Sequence, residues 1–255
     1  MDFDSDGLAA RIVRARAERR PLRPLTDERT LSMEQAYAVQ DGVTRLRLAS
    51  GQQIIGWKLG YTSLAMREQM GVSEMNAGPL TDAMSLRDGA TVPATLVQPL
   101  VEPEIALILG RTMPVNAGLA DVLAATERAY ACLEVVDPIW QDRRFRIEDN
   151  TADGSSAACF VLGAPLDLAD LPSIAVTMSH NGEVTGQATG AAAGGHPAAG
   201  VAWLAGLLAG RGEALEPGDI VLTGGLTHAV PLEPGDEIAA TFEEGARAVR
   251  VSVRR

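Results

Sequence analysis

The 255-residue sequence predicts an α+β protein in which a helical first quarter, residues 1–52, packs on a mainly β remainder, residues 53–255. Three observations predict this. Two stretches before residue 52 carry apolar residues at helical spacing, and the chain after residue 97 is a series of short branched runs punctuated by Gly, Pro and Asp. No internal repeat, low-complexity tract or linker separates the two parts.

The first helix is expected over residues 7–20, where Leu8, Ile12 and Val13 alternate with five arginines before Pro21; its basic face is expected to be solvated. The second opens on Ser32-Met33-Glu34-Gln35, which has the form of a capping box. It continues through Ala36, Tyr37, Val39, Val43, Leu46 and Leu48 up to Gly51. Residues 54–60, Ile-Ile-Gly-Trp-Lys-Leu-Gly, form a short apolar run with glycines that reads as a strand leading into a functional loop. Further strands are expected over 104–109, 131–136, 158–162, 174–179, 219–223, 237–242 and 248–253, with helical interludes at 119–131 and 198–209. Asn181-Gly182 between two strand-like runs predicts a hairpin, because both residues tolerate positive φ.

A hydrophobic fraction of 46% and a charged fraction of 22% describe a folded, water-soluble chain, and no apolar run approaches a spanning length. The formal net charge of −11 excludes a nucleic-acid backbone or an anionic membrane as the natural partner. A small anionic ligand fits only where a local cation or a metal receives it. The first residues, Met-Asp-Phe-Asp-Ser-Asp, carry no basic segment followed by an apolar one, so the expected compartment is the cytoplasm. Cys132 and Cys159 lie in apolar runs and are expected to be buried free thiols.

The chemistry concentrates in Val101-Glu102-Pro103-Glu104-Ile105. On a strand, Glu102 and Glu104 share one face about 7 Å apart, and Glu134, in Cys132-Leu133-Glu134-Val135, can reach the same point from a neighbouring strand. Three hard oxygen ligands suit Mg²⁺ or Mn²⁺. A solitary Glu-x-Glu is more often a pair of solvated acids, and the surrounding motifs decide between the readings. Lys58, in Gly-Trp-Lys-Leu-Gly, is either a lysine snorkelling from an edge strand or an embedded ammonium that needs an anionic partner. Asp153-Gly154-Ser155-Ser156 reads as an ordinary polar turn feeding a strand. The glycine pair in Leu222-Thr223-Gly224-Gly225-Leu226-Thr227 could bring backbone amides and a hydroxyl against a small anion. His180, His196 and His228 have no metal spacing, and no dinucleotide, P-loop, HExxH or GxSxG motif is present.

Taken together, several motifs are identified in register: residues 56–63 (Gly-Trp-Lys-Leu-Gly-Tyr-Thr-Ser), Met70-Gly71-Val72, Gly78-Pro79-Leu80, Pro99 through Ala106, Leu133 through Asp137, Ala152-Asp153, Gly195-His196-Pro197 and Leu222 through Gly225. From about Ser32 to Val253 the chain resembles the 2-oxopent-4-enoate hydratase and 4-oxalocrotonate decarboxylase family of the fumarylacetoacetate hydrolase superfamily. The resemblance implies a mixed β-roll or barrel core and a Mg²⁺ or Mn²⁺ held by Glu102, Glu104 and Glu134. It further implies a 2-oxo acid chelated through its carboxylate and keto oxygens, an active-site lysine at Lys58, and a substrate pocket to which Ser156, Leu80, Gly225 and Thr227 contribute. It also implies a homo-oligomer and a complex with a cognate hydratase or decarboxylase, in aromatic-compound catabolism or a related biosynthetic route.

The departures favour one reaction. Hydratase relatives carry an aspartate where this chain has Asn76, in Met75-Asn76-Ala77-Gly78, and an amide cannot act as a carboxylate base. Ala152-Asp153-Gly154-Ser155-Ser156 lacks the asparagine of the family's Ala-Asp-Asn-Ala-Ser, and Gly-Gly-Leu-Thr before Ala229-Val230-Pro231 looks closer to the decarboxylases. The expected activity is therefore metal-dependent decarboxylation of a 2-oxo-3-enedioate, with Lys58 and Asn76 in the active site. A hydratase acting on 2-hydroxypenta-2,4-dienoate is the alternative, and a non-catalytic metal-binding subunit is a third reading. Acylpyruvate hydrolysis lacks an evident His-Glu dyad.

Overall fold

The computed structural model describes residues 3–64, 67–68, 71–243 and 247–253; Met70 of the second motif lies outside them. Helix α1 (Ser5–Ala17) and helix α2 (Met33–Ala49) stand where the apolar spacing places them. The capping box forms: Gln35 N–H donates to Ser32 Oγ at 3.2 Å, and Ser32 N–H donates to Gln35 Oε1 at 3.1 Å. Leu8, Ile12, Val39 and Val43 share a buried cluster with Ile139, Trp140 and Ala152, so the helices pack on the β body directly.

Two sheets make up that body. The larger is ordered β2 (Asn76–Thr81), β1 (Ile54–Gly60), β10 (Ile220–Leu222), β5 (Leu100–Leu109), β6 (Thr126–Val136), β7 (Ala157–Leu166) and β3 (Ser85–Leu86), and β11 (Val230–Pro231) also pairs with β5. The smaller is ordered β4 (Ala90–Val92), β13 (Arg247–Val253), β12 (Glu237–Phe242), β8 (Ala175–His180) and β9 (Glu183–Thr189). Both are mixed: β1 runs parallel to β10, β3 to β7 and β4 to β13, and the other pairs are antiparallel. The principal core lies between them, with Leu107, Leu133 and Val161 against Ile238, Phe242 and Val251. Helix α3 (Leu119–Ala125) and helix α5 (Pro197–Gly210) cover it, with Val201, Leu204 and Leu208 buried; helix α4 (Ile147–Ala152) lies against α2. The turn Asn181-Gly182 between β8 and β9 has φ of 53° and 85°, the pair of positive values that the hairpin requires.

Two expectations are corrected. The helix predicted over 119–131 stops at Ala125, where Thr126 Oγ1 donates to the Val122 carbonyl at 2.8 Å and closes the turn. From Thr126 the chain is a strand laddered on both sides, to β5 and β7, and that pairing outweighs the helical preference of its alanines. The basic face of α1 is not all solvated either. Arg16 turns inward, donating from Nη2 to Asp153 Oδ1 at 2.6 Å and from Nη1 to Asp137 Oδ2 at 3.3 Å. Asp137 also accepts the Val97 and Gln98 amides, and Asp153 accepts the Ile139 amide, so one guanidinium ties α1 to the ends of β6 and α4.

Removing that cation leaves two buried carboxylates facing each other. Arg16→Leu is expected to cost on the order of 3 kcal/mol of folding stability, read from urea unfolding, with Asp137→Asn/Asp153→Asn on the same background recovering part of it.

Candidate metal and substrate site

Strand register assembles the acids. Glu102 on β5 is directly opposite Glu134 on β6, and Glu104 lies two residues on, opposite Cys132, so period-two alternation puts all three carboxylates on one face. Their ligand atoms lie within 4.8 Å of one another. Like charges opposed on neighbouring strands repel, so the arrangement calls for positive charge at its centre.

The partner of β5 changes at this point. It pairs with β10 at residues 106–108 and with β11 at residues 100 and 101. Between them the Thr223–Leu226 segment fills the gap: Leu226 N–H donates to the Pro103 carbonyl at 2.9 Å, and Gly224 N–H donates to Glu104 Oε2 at 2.8 Å. A proline is tolerated in β5 where the regular ladder is interrupted. Gly225 stands against Glu102 so closely that a Cβ there would collide with the Glu102 carboxylate, which explains the glycine.

Lys58, on β1, is the cation supplied by the chain. Its Nζ lies 3.0 Å from Glu134 Oε2 and donates to the Ser155 carbonyl at 3.1 Å. Lys58, Glu104 and Glu134 are at most 3% exposed. One ammonium does not balance three carboxylates, and Glu104 Oε1 and Glu134 Oε1 are buried without a hydrogen-bond partner. Burial pushes the Glu102 carboxyl up to about 7, with Lys58 pulling it down and Glu134 pushing it further up. Glu104 is raised well above the usual range, by burial first and then by Glu134 and Glu102. For Lys58 burial works against the charge, but the three glutamates outweigh it and its pKa is raised. This donor set, hard, anionic and with orphaned oxygens, fits a divalent cation such as Mg²⁺ or Mn²⁺.

Of the three acids, Glu102 opens on a cavity of about 300 Å³ bordered by Lys58, Tyr61, Glu102, Asn150, Ser155 and Ser156 on its polar side and by Leu100, Val136, Pro138, Phe145 and Ala229 on its apolar side; Arg143 completes the wall. Ser156 lies on the polar wall of this cavity. The turn that carries it is not ordinary: Gly154, Ser155 and Ser156 have φ of 73°, 54° and 57°, three consecutive left-handed residues. Such a conformation costs about 1–2 kcal/mol for each non-glycine residue. It aims the Ser155 carbonyl at Lys58 and the Ser156 hydroxyl at the amide of Asn150, whose Nδ2 donates to Ser156 Oγ at 2.9 Å.

Asn76 stands one step behind the cavity wall. Its Nδ2 donates to Asn150 Oδ1 and Thr151 Oγ1, each at 2.9 Å, and its Oδ1 accepts from Ser155 Oγ at 3.0 Å. Gly60, its partner on β1, leaves the space: a Cβ there would strike Asn76 Oδ1. Leu80 and Thr227 are not brought to the cavity. Leu80 is buried with Met84, Phe160 and Leu222, and Thr227 Oγ1 lies 3.6 Å from Met178 Sδ of the smaller sheet, donating to the His228 carbonyl at 3.3 Å. Which face each presents depends on pairing that the local sequence does not contain. Tyr61, Asn150, Ser155, Arg143 and Phe145 also line the cavity, and no local motif marks Asn150, Arg143 or Phe145. The histidines serve elsewhere, His196 Nδ1 accepting the Ala198 amide at the start of α5 and His180 Nε2 lying 2.9 Å from Asp236.

The model of the fumarylacetoacetate (FAA) hydrolase C-terminal family matches residues 64–253. The chain is 39% identical over 243 residues to the 2-hydroxyhexa-2,4-dienoate hydratase of Comamonas testosteroni, covering 91% of each protein. It is 37% identical over 219 residues to the 4-oxalocrotonate decarboxylase of Pseudomonas sp. strain CF600, covering 84% of this chain and 83% of that one. The structure of the Pseudomonas putida G7 4-oxalocrotonate decarboxylase complexed with magnesium and adipate superposes with a TM-score of 0.93 at 35% identity, covering 98% of this chain and 97% of that one.

Raised carboxyl pKa values favour the protonated folded form, so their contribution to stability is complete below the unfolded value of 4.5 and is lost as pH rises through about 7. The metal-free protein is expected to lose melting temperature across that window. Divalent ions compete with the same protons, so magnesium is expected to raise the melting temperature more at about pH 8 than at about pH 5; equal shifts at both would contradict the carboxylate assignment.

Proposed function

The chain belongs to the fumarylacetoacetate hydrolase family, and from that premise we propose that it is a divalent-metal-dependent lyase that decarboxylates a 2-oxo-3-enedioate to a 2-hydroxy-2,4-dienoate. Glu102, Glu104 and Glu134 would hold a Mg²⁺ or Mn²⁺, which would supply a Lewis acid to a 2-oxo acid substrate. Loss of CO₂ breaks the bond to the distal carboxylate; the electron pair moves along the conjugated chain to the C2 oxygen, which takes up a proton. The step requires orientation and charge compensation but no base to activate water.

The protein's own groups suit those demands. Lys58, held by Glu134 and the Ser155 carbonyl, has a raised pKa and keeps its proton, so it acts as a fixed positive charge for the anionic substrate. Ser156 and Asn150 offer hydrogen bonds along one wall, while Leu100, Val136, Pro138 and Phe145 keep the other wall dry. The observation that carries the choice of reaction is that, among the described residues, Glu102 is the only acid lining the cavity, and it belongs to the metal set. A hydratase also needs a group that delivers water, and the amide of Asn76, engaged in the network behind the wall, is not a base. The hydratase reading is favoured by the similarity to several hydratases, the 39% identical Comamonas enzyme among them, and remains the second reading. A cytoplasmic location belongs to the proposal, as do a homo-oligomer and association with a cognate enzyme, which rest on the resemblance; among the described residues no helix is long and apolar enough to cross a membrane.

Product analysis by ultraviolet spectra and NMR with Mg²⁺ separates the readings. CO₂ release from 2-oxo-3-hexenedioate supports the proposal, water addition to 2-hydroxypenta-2,4-dienoate selects the hydratase, and no reaction with either overturns both. Glu104→Gln is expected to abolish metal-dependent turnover in a folded protein, and Lys58→Met to lower kcat on the order of a hundredfold.

A further inference from the structure

Arg143 has no role in the chemistry above, yet it is the only cation besides Lys58 among the described residues lining the cavity. It stands at a partition, because Arg143 and Phe145 also border an adjoining hollow of about 530 Å³. Its backbone is held in an unfavourable conformation: Asp142 and Arg143 have φ of 57° and 51°, and arginine has no intrinsic preference for the left-handed region. The loop is fixed by Gln98, whose Nε2 donates to the Pro138 and Trp140 carbonyls at 2.6 and 2.5 Å and whose own carbonyl accepts Arg143 Nε at 3.4 Å. Gln141 N–H donates to the Leu22 carbonyl at 2.7 Å, anchoring the loop from its other side. Among the described residues no carboxylate pairs with the Arg143 guanidinium. A presented, unpaired guanidinium on a rigid, strained loop at the rim of an otherwise apolar wall is an anion receptor by construction.

Charge balance gives the ligand class. With a divalent ion in place, the three glutamates and Lys58 sum to neutrality, so the floor can accept the single negative charge of a 2-oxo carboxylate but offers nothing to a second one. We infer that Arg143 is a specificity-determining residue that receives the distal carboxylate of a 2-oxo dicarboxylic acid and so selects dicarboxylates over monocarboxylates of equal length. The inference rests on the 2-oxo-acid reading proposed above. Pairing with the carboxylate that later departs as CO₂ stabilises the ground state, so Arg143 belongs to KM rather than to kcat.

The test compares 2-oxohexanedioate with 2-oxohexanoate, two saturated acids of equal chain length that cannot lose CO₂ by this route, binding to the Mg²⁺-loaded protein by calorimetry. The wild type is expected to prefer the diacid by about tenfold or more, the scale of one charged hydrogen-bonded pair. Arg143→Gln is expected to bring the ratio of the two affinities close to one, and Arg143→Lys to retain part of the preference. With 2-oxo-3-hexenedioate as substrate, Arg143→Gln is expected to raise KM while leaving kcat unchanged or higher. A preference that survives in Arg143→Gln, or is absent from the wild type, overturns the inference and leaves the metal-chelation reading intact. Failure of both acids to bind in a magnesium-dependent way overturns that reading and the inference with it. A preference lost in Arg143→Gln in a protein that releases no CO₂ upholds the inference and overturns only the reaction.

Discussion

Three carboxylates packed on one face of two adjacent strands, in a setting almost closed to water, constrain everything around them. Each would lose its charge if buried alone, as the raised carboxyl pKa values of Glu102 and Glu104 register. Lys58 offsets part of the repulsion and is itself held charged by it. The Gly224 amide offsets a little more, and the orphaned oxygens of Glu104 and Glu134 mark what is left for an ion to satisfy. The surrounding architecture follows from keeping these groups in place: a ladder interrupted beside Pro103, a glycine at 225 against the Glu102 carboxylate, and a lysine stem packed in the sheet.

Beside that set lies a second layer of polar contacts, part of it on the cavity wall. Asn76, Asn150, Thr151, Ser155 and Ser156 exchange hydrogen bonds across β2, α4 and the left-handed turn. Asp153 closes the turn from below through Arg16, and Gln40 of α2 reaches the carbonyls of Ala77 and Thr151 at 2.9 and 2.8 Å. The helical first quarter is thus fastened to the backbone that shapes the cavity. The strain in the Ser155-Ser156 turn is sustained because neighbours on several sides determine it.

The parts legible in the sequence were those written in local spacing. Glu102 and Glu104 show their common face by alternation alone, the capping box marks α2, and Asn181-Gly182 marks its hairpin. The strand carrying Lys58 was readable over its whole length. What stayed hidden depended on distant partners. Arg16 and Asp153 are 137 residues apart, and nothing near either announces the pair. Leu80 and Thr227 occur in recognisable motifs, but the face each presents is set by pairing with other strands. The Asp153-Gly154-Ser155-Ser156 stretch reads as a routine turn because left-handed conformation in serine leaves no compositional trace. Helix 119–131 was overextended because a ladder on both sides overrode its alanines.

The register Glu102↔Glu134 has an evolutionary consequence. All three acids come from β5 and β6, consecutive strands joined through α3, whereas Lys58, Asn76, Ser156 and Arg143 come from four other segments. The three acids are therefore placed by a single strand pair. The groups that face the organic part of a substrate can drift independently, one segment at a time, without dismantling the centre they surround. In a scaffold divided in this way, a substitution at the rim leaves the strand pair that sets the charged centre untouched.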